Sequence, residues 1–590
     1  MARSWTSGGR DWGSGSGAQN KMTFEREQQE ATMLSNRGAE FQHNNMRNDT
    51  TNQNQQNNHN VQPNRHWTQS GADLLGSGAN GGQQMEELTP VAQLFEGQSI
   101  FVTGASGFIG RVLLEKLLRS YQGIKRIYIL LRPKKNLSPY ERLHEHLLRA
   151  PIFDAIRALK NGHELLDKIE VVSGDIGDEH LGLSEADSRK LLADPTLSVV
   201  FHSAASVRFD EPLKTSIRFN LQATESIVKL CKQIKNLRCL CHVSTAYVNS
   251  DIRDNADIEE RLYPMRQQPE QLIKLAQLMD DNFLQRLKPE LVGQRPNTYT
   301  YTKALAEHLI ALEASDLPVA IVRPSIVVAA WREPLRGWVD NLNGPTGLVL
   351  AIGKGLLRTM RAIGTCKADI IPVDIVVNTM IAAAHFAAQA HKQRAQSAAA
   401  EAAPLKQGCE HQLVGAAPAA SSSSSKAADE DCSSREEATL HTQPNSPPIF
   451  HCTSGDVNPI TWGAMESLFW PIILKYPSEQ VLRYPGGTFK QSKVHDMIVR
   501  LFVHFLPALM LDLICLVTGK KRQMLLIYGK LHRAIAALDN FCTTNYNFRT
   551  SNLSSLQASL THPLDRSRLY MDISTLNWFD FWDDYVLGAR

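Results

Sequence analysis

From Phe95 to about Arg323, short apolar runs alternate with longer stretches in which apolar residues recur at helical spacing. The runs predict strands at Ser99–Thr103, Arg126–Leu131, Lys168–Val172, Val199–His202, Leu237–Val243 and Ala320–Arg323. Strands alternating with helices predict an α/β fold built on a Rossmann-type doubly wound parallel sheet. Two stretches break the pattern. Residues 1–90 are rich in Asn, Gln, Gly and Ser, and residues 52–58 are Asn and Gln alone. Too few apolar side chains are present to offset the entropy of ordering, which predicts a disordered tail. Residues 389–448, with Ser421–Ser425 and several Ala clusters, separate an expected helix (Ile375–Ala388) from a strand-like run (Ile449–Cys452). A disordered surface insertion is expected there. Ordered, mainly helical sequence is expected over 449–590.

The 590 residues suffice for two or more domains with full cores. A net charge of +3 gives no nucleic-acid footprint. The chain has 9 cysteines without CxxC pairs or zinc spacing, so no metal site is expected and a reduced, cytosol-facing protein is. Residues 1–20 are polar, without the apolar core of a signal peptide, so any membrane attachment is expected from within the chain.

The most informative segment is 99–110, where the first strand ends in a glycine turn and an amphipathic helix (Phe108–Arg119) follows at once. This is the strand, phosphate-binding turn and helix of a dinucleotide-binding unit. Gly104 suits the tight turn, Gly107 the approach of a pyrophosphate and Gly110 the close packing of helix on strand. Thr103, Ser106, Phe108 and Ile109 lie in the same turn. Where an NAD-preferring unit ends its second strand in a carboxylate, this one has Arg132, followed by Lys134 and Lys135. Arg132 is placed to pair with a 2′-phosphate, which favours NADPH. After the third strand come Asp175, an acceptor for an adenine amino group, and Ile176; after the fourth, the small Ala204 and Ala205 allow close approach of a cofactor. Both loops are at the carboxyl edge of the sheet, where such folds bind ligands.

The catalytic candidates open a later helix. Tyr299 and Lys303 are four apart and share a helix face. An ammonium beside a phenol favours the phenolate, making Tyr299 a more acidic proton donor to a developing alkoxide, while Lys303 is suited to hold a nicotinamide ribose. Tyr301 has no lysine at that spacing. The fifth strand ends in two hydroxyls, Ser244 and Thr245, either of which could hydrogen-bond a reacting carbonyl. An isolated Tyr-x-x-x-Lys occurs by chance on surface helices. Its order here, after a glycine turn and strand-end hydroxyls and before another strand, favours catalysis.

These motifs resemble the extended short-chain dehydrogenase/reductase superfamily. The resemblance implies that residues 202–205 form a cofactor loop and that Asn220 positions Lys303 through water. It leaves Thr245, with Ser244 second, as the family's Ser/Thr. Within that superfamily, residues 103–110, 243–249, 297–307, 322–326 and especially 337–347 resemble an alcohol-forming fatty acyl-CoA reductase. That likeness implies Pro324, Ser325 and Ile326 at the cofactor. It also implies a reductase domain over 95–388 that binds NADP and carries substrate-binding elements, with the family's C-terminal domain over 449–590. The implied chemistry is two successive hydride transfers from NADPH, the first to the thioester of a long-chain acyl-CoA, the second to the aldehyde left when coenzyme A departs. Rival expectations are a sterol or sugar-nucleotide enzyme on the same fold, or a cofactor-binding scaffold without catalysis.

Residues 498–518 are apolar and long enough to span a bilayer, yet contain Arg500, His504 and Asp512. A central Asp costs roughly 2.5–3.5 kcal/mol on insertion scales. A helix lying in the interface, a true span, and a buried acyl-tunnel wall or core helix all remain open. The family likeness implies contact with membrane lipid, at the endoplasmic reticulum with the catalytic domain facing the cytosol, or at the peroxisome. No protein partner is indicated.

Overall fold

The computed structural model describes residues 88–589 apart from 135–136, 253–254, 342–343, 403–445 and 479–480. Nearly all of the tail and most of the insertion expected from the sequence therefore lie outside the described residues.

Seven parallel strands form the central sheet: β1 (Ser99–Thr103), β2 (Arg126–Leu131), β3 (Ile169–Ser173), β4 (Leu197–His202), β5 (Cys239–Val243), β6 (Val319–Pro324) and β7 (Ile449–Cys452). Their order is β7-β6-β5-β4-β1-β2-β3. The chain builds outward from β1 on one side and then returns to place β4 on the other, so the topological switch point lies between β1 and β4. Register aligns Thr103 with His202 and His202 with His242, bringing the carboxyl ends of β1, β4 and β5 to one level. Strand limits differ from expectation by a residue or two. Lys168 closes the preceding helix rather than opening β3, and β5 starts only at Cys239.

Alternate residues of each strand feed two apolar layers. Ile100, Val102, Ile127, Ile129 and Phe201 face one, packed with helix α1 (Phe108–Ser120). Phe101, Tyr128, Leu130, Val200 and Ile321 face the other. That second layer receives α2, which spans 213–231 with a π-turn at Ile217–Gln222, and α3 (Thr298–Glu313). Helices on both faces explain why the strands are apolar throughout.

Two boundaries differ from the sequence reading. The helix expected to end at Ala388 continues as α4 (Val373–Ala402). Apart from His391 and Ser397, the residues from 389 to 402 are Ala, Gln, Lys, Arg and Glu, strong helix formers that can continue a helix already nucleated in the core. Ile449–Cys452 pairs with β6 as the edge strand of the main sheet, Ile449 opposite Ile321. The segment after the insertion thus begins inside the reductase sheet, and a separate helical region starts only after Cys452.

A buried ion cluster ties α1 to later parts of the chain. Glu333 pairs with Lys116 and, at 2.9 Å, with Arg119, and accepts from Asn378 of α4 at 3.3 Å. Burial alone would raise its pKa, but the attraction of Lys116 and Arg119 outweighs that and holds it down to about 2. Lys116 also donates to the Arg568 carbonyl, stitching the helical C-terminal region to the nucleotide-binding helix. Glu333→Gln leaves buried Lys116 without its carboxylate partner and Arg119 with Glu115 alone, and is expected to cost about 3–5 kcal/mol, read as a lowered midpoint in denaturant unfolding.

Candidate active site

At the end of β1, Gly104 takes φ +79°, and a Cβ there would lie 2.7 Å from the Ala204 nitrogen and the Ser203 hydroxyl. A Cβ at Gly110 would overlap the Gly104 carbonyl. The cradle is therefore closed to side chains at both positions. Gly107 is the N-cap of the 13-residue helix α1 and supplies no side-chain cap. The N–H groups of its first turn, from Phe108 to Gly110, face the cradle with the positive end of the helix dipole behind them. Thr103 is fixed beneath by His202 Nδ1 at 2.8 Å, and the Ala204 N–H donates to the Thr103 hydroxyl at 3.4 Å. Ser106 accepts from Arg111 through its carbonyl, Phe108 stacks on Trp338 at 5.4 Å, and Ile109 packs partly buried against the core. These residues fit a dinucleotide pyrophosphate.

Beyond the cradle, Arg132 and Asp175 pair with each other at 3.0 Å, a contact that spacing could not anticipate. Asp175 also accepts from the Gly177 N–H at 3.1 Å, while Ile176 packs into the second apolar layer. Arg142, which the sequence reading did not single out, donates to the Arg132 carbonyl. Burial, followed by repulsion from Arg132 and Arg111, lowers its pKa, so three guanidinium groups share this edge. Lys135 lies outside the described residues.

Asn220 sits in the π-turn of α2 and clamps two elements. It accepts from the Ser206 N–H at 2.9 Å and donates to the Thr302 hydroxyl of α3 at 3.0 Å. Its direct contacts are thus with the strand-end loop and the catalytic helix, not with Lys303. Ala205 lies in that same loop, half-buried.

The Asn297 side chain caps α3, accepting from the Thr300 N–H at 2.9 Å, which fixes the first turn that carries Tyr299. The Thr245 hydroxyl lies near enough to the Tyr299 phenol to lower its pKa, and it accepts from the Tyr247 N–H at 3.4 Å. Ser244 instead donates its N–H to Val322, and its hydroxyl is buried without a partner. Pro324 accepts from Thr245 at 3.4 Å, the Ser325 N–H donates to Cys452, and Ile326 begins a short strand paired with Ile370–Pro372. Lys303 is buried and donates to the Val243 carbonyl at 2.7 Å. Burial lowers its pKa to about 8, with Glu307 one turn on pulling the other way.

One expectation needs correction. Tyr299 is not made more acidic by its neighbour. Burial pushes its pKa up to about 12, opposed by the neighbouring Thr245 hydroxyl. The cause is geometric: the Lys303 ammonium is directed at the end of β5, where its charge instead depresses His202 and His242, whose burial already disfavours protonation. Both imidazoles stay neutral at the floor of the site.

An aromatic wall, absent from the sequence reading, flanks Tyr299. Phe209 lies 5.7 Å from Tyr299 and 5.6 Å from Phe541, and Tyr247 meets Phe541 at 4.7 Å and Phe548 at 5.2 Å. Phe541 and Phe548 belong to the C-terminal region, so the wall is assembled from residues some 300 positions apart in the chain.

Because kcat/KM reports groups of the free enzyme, it is expected to fall as pH rises through about 8, where the Lys303 ammonium is lost. A rate profile flat from neutral to alkaline pH counts against that role for Lys303.

Comparison with known proteins agrees with this geometry. The male sterility protein family matches through an NAD-binding domain over residues 102–380 and a Sterile domain over 503–590. The terminal reductase domain of the myxalamid biosynthetic pathway superposes with a TM-score of 0.50 at 17% identity, covering 83% of this chain and 90% of that one, a likeness of fold. Fatty acyl-CoA reductase 1 of Rattus norvegicus is 35% identical over 503 residues, 85% of this chain and 86% of its own. Fatty acyl-CoA reductase 2 of Mus musculus is 34% identical over 504 residues, with the same coverage. With a cradle suited to a nicotinamide dinucleotide and these relatives along most of its length, the chain belongs to the fatty acyl-CoA reductase family of oxidoreductases.

Proposed function

We propose that the protein reduces a long-chain fatty acyl-CoA to the primary alcohol through an enclosed aldehyde, with NADPH as reductant. The observation that carries this reading is the gathering of Thr245, Tyr299 and buried Lys303 at the ends of β5 and α3, under an apolar aromatic wall. Bound in the glycine cradle, a reduced nicotinamide supplies hydride to the acyl carbon. The chain's residues do the rest. Thr245 orients the carbonyl oxygen, and Tyr299 gives it a proton. A pKa near 12 keeps Tyr299 protonated at neutral pH, the state that a reduction needs. Lys303 spends one N–H on Val243, which leaves its remaining donors for a ribose. The protonated thioester adduct, a hemithioacetal, expels the coenzyme A thiol. The resulting aldehyde presents the same oxygen to the same two hydroxyls, and the aromatic wall shields it from water.

Two features support NADPH. No carboxylate ends β2, and the Arg132–Asp175 pair is half exposed, a contact worth about 0–1 kcal/mol that a 2′-phosphate can displace. The reading also includes contact with membrane lipid, supported by the apolar helix Lys493–Val517. It places the catalytic domain on the cytosolic side of the endoplasmic reticulum, which suits cysteines that are all unpaired among the described residues.

Tyr299→Phe is expected to abolish NADPH oxidation driven by palmitoyl-CoA while the unfolding midpoint stays put; unchanged turnover would remove Tyr299 from the mechanism. Wild-type protein should consume two NADPH per coenzyme A released, and a one-to-one ratio would make the aldehyde the product. Arg132→Ala is expected to raise KM for NADPH by roughly tenfold or more with little change for NADH, since a charge-assisted contact of about 1.5–3 kcal/mol is lost only for the phosphorylated cofactor.

A further inference from the structure

Two described helices are long and apolar enough to cross a membrane, and they differ in one respect. Within α4, the apolar window is 72% buried, as befits a core helix. The other, α5 (Lys493–Val517), has a mean hydropathy of 2.0 and is only 17% buried. Its amphipathicity is inverted. The stripe turned toward the protein is His504, Ala508 and Asp512, at fourfold spacing, whereas Phe502, Met510, Leu513, Ile514 and Val517 are exposed. A water-soluble helix buries the opposite set.

The partner of that polar stripe is α6 (Met524–Thr543). His504 Nδ1 meets His532 Nε2 at 3.1 Å, and the Asp512 carboxylate accepts from the N–H groups of Gln523, Met524 and Leu525, each at 3.0 Å. As residue number rises along α5 it falls along α6, so the two helices form an antiparallel hairpin closed by an Asp cap. The hairpin's base is held to the body of the protein. Asp496 accepts from Thr359 at 3.0 Å, His504 accepts from the Arg358 N–H at 2.9 Å, and Arg361 pairs with Asp539 at 2.8 Å. From His504 to Val517 the free part measures about 20 Å at the helical rise, short of a hydrocarbon core of about 30 Å. The turn at its tip carries Lys520, Lys521 and Arg522, all exposed, and exposed Lys530 and Arg533 lie near the base.

We propose that this hairpin lies in the plane of one membrane leaflet, its apolar sides among the acyl chains and its basic tip on anionic phospholipid headgroups. This rests on the membrane contact proposed above and gives it a geometry. A span would drive three cations through hydrocarbon and break the Asp496 and His504 anchors. Lying flat, cations at both ends reach headgroups, and Asp512 keeps its three N–H donors. The far end of α6 carries Phe541 of the wall beside Tyr299, so the same element that meets lipid borders the reacting site.

The test is flotation of the full chain with vesicles of phosphatidylcholine alone or mixed with phosphatidylserine, followed by external trypsin on the floated fraction. Binding is expected to favour the anionic vesicles, and peptides ending at Lys520, Lys521 or Arg522 should be released from outside. Changing those three residues together to Ala should weaken binding to anionic vesicles about a hundredfold, with turnover of a short water-soluble acyl-CoA unchanged. Equal binding to both vesicles overturns the headgroup contact. A tip protected from external trypsin overturns the in-plane hairpin but leaves membrane contact standing. Failure to float with either vesicle overturns both.

Discussion

A single ammonium group governs how the site is built. Lys303 lies almost without water at the end of β5, and its one hydrogen bond in the structure is to the Val243 carbonyl. Holding a cation there is costly, and burial brings its pKa to about 8. What opposes the cost is Glu307, one turn along α3, whose carboxylate is gripped by Arg323 of β6 at 2.9 and 2.6 Å. Arg323 in turn meets His451 Nε2 at 3.2 Å, and His451 contacts the Arg549 carbonyl at 2.8 Å through Nδ1. Burial and then Arg323 bring His451 to about 3, so it stays neutral and the chain of charges ends in a backbone dipole. Edge strand β7 and the C-terminal region therefore complete the electrostatics of a site whose candidate catalytic and cofactor-binding residues all lie before them.

That dependence explains why the chain cannot be divided cleanly into a cofactor domain and an appended one. Glu260, between β5 and α3, accepts from the His451 N–H at 2.8 Å and from Leu553 at 3.2 Å, and it lies across the same seam as the aromatic wall. Gly337 takes φ +71°, and a Cβ there would strike the Asp584 carbonyl of the last helix, Trp578–Ala589. The segment that carried the most specific family likeness is thus one where the nucleotide side, through Arg111–Asp340 at 3.1 Å, and the chain's end press together.

What the sequence made legible was local. A glycine turn between an apolar run and an amphipathic helix needs only twelve neighbouring residues to be recognised, and Tyr299 and Lys303 share a helix turn. The acidity of Tyr299 was misjudged because it depends on burial and on where Lys303 points, neither of which spacing encodes. Asn220 was singled out as an asparagine that positions Lys303 through water, whereas its direct partners, Ser206 and Thr302, are tertiary. Arg132 and Asp175 were read as separate ligands although they face each other across β2 and β3. Phe541 and Phe548 gave no signal at all, since nothing in a C-terminal aromatic marks it as the wall of a site organised by residues 209–299.

Asp512 shows the same rule at the other end of the molecule. Hydropathy treats it as an argument against membrane contact, because a scale charges it as an isolated carboxylate in lipid. In the fold it is paired with three backbone N–H groups at the start of α6, much as Lys303 is paired with a backbone carbonyl at the end of β5. In both places a charge is held out of water by peptide dipoles at the end of a regular element, where backbone groups are left without partners of their own. The apolar surface around Asp512 and the apolar wall around Tyr299 are then compatible with the ionised groups among them.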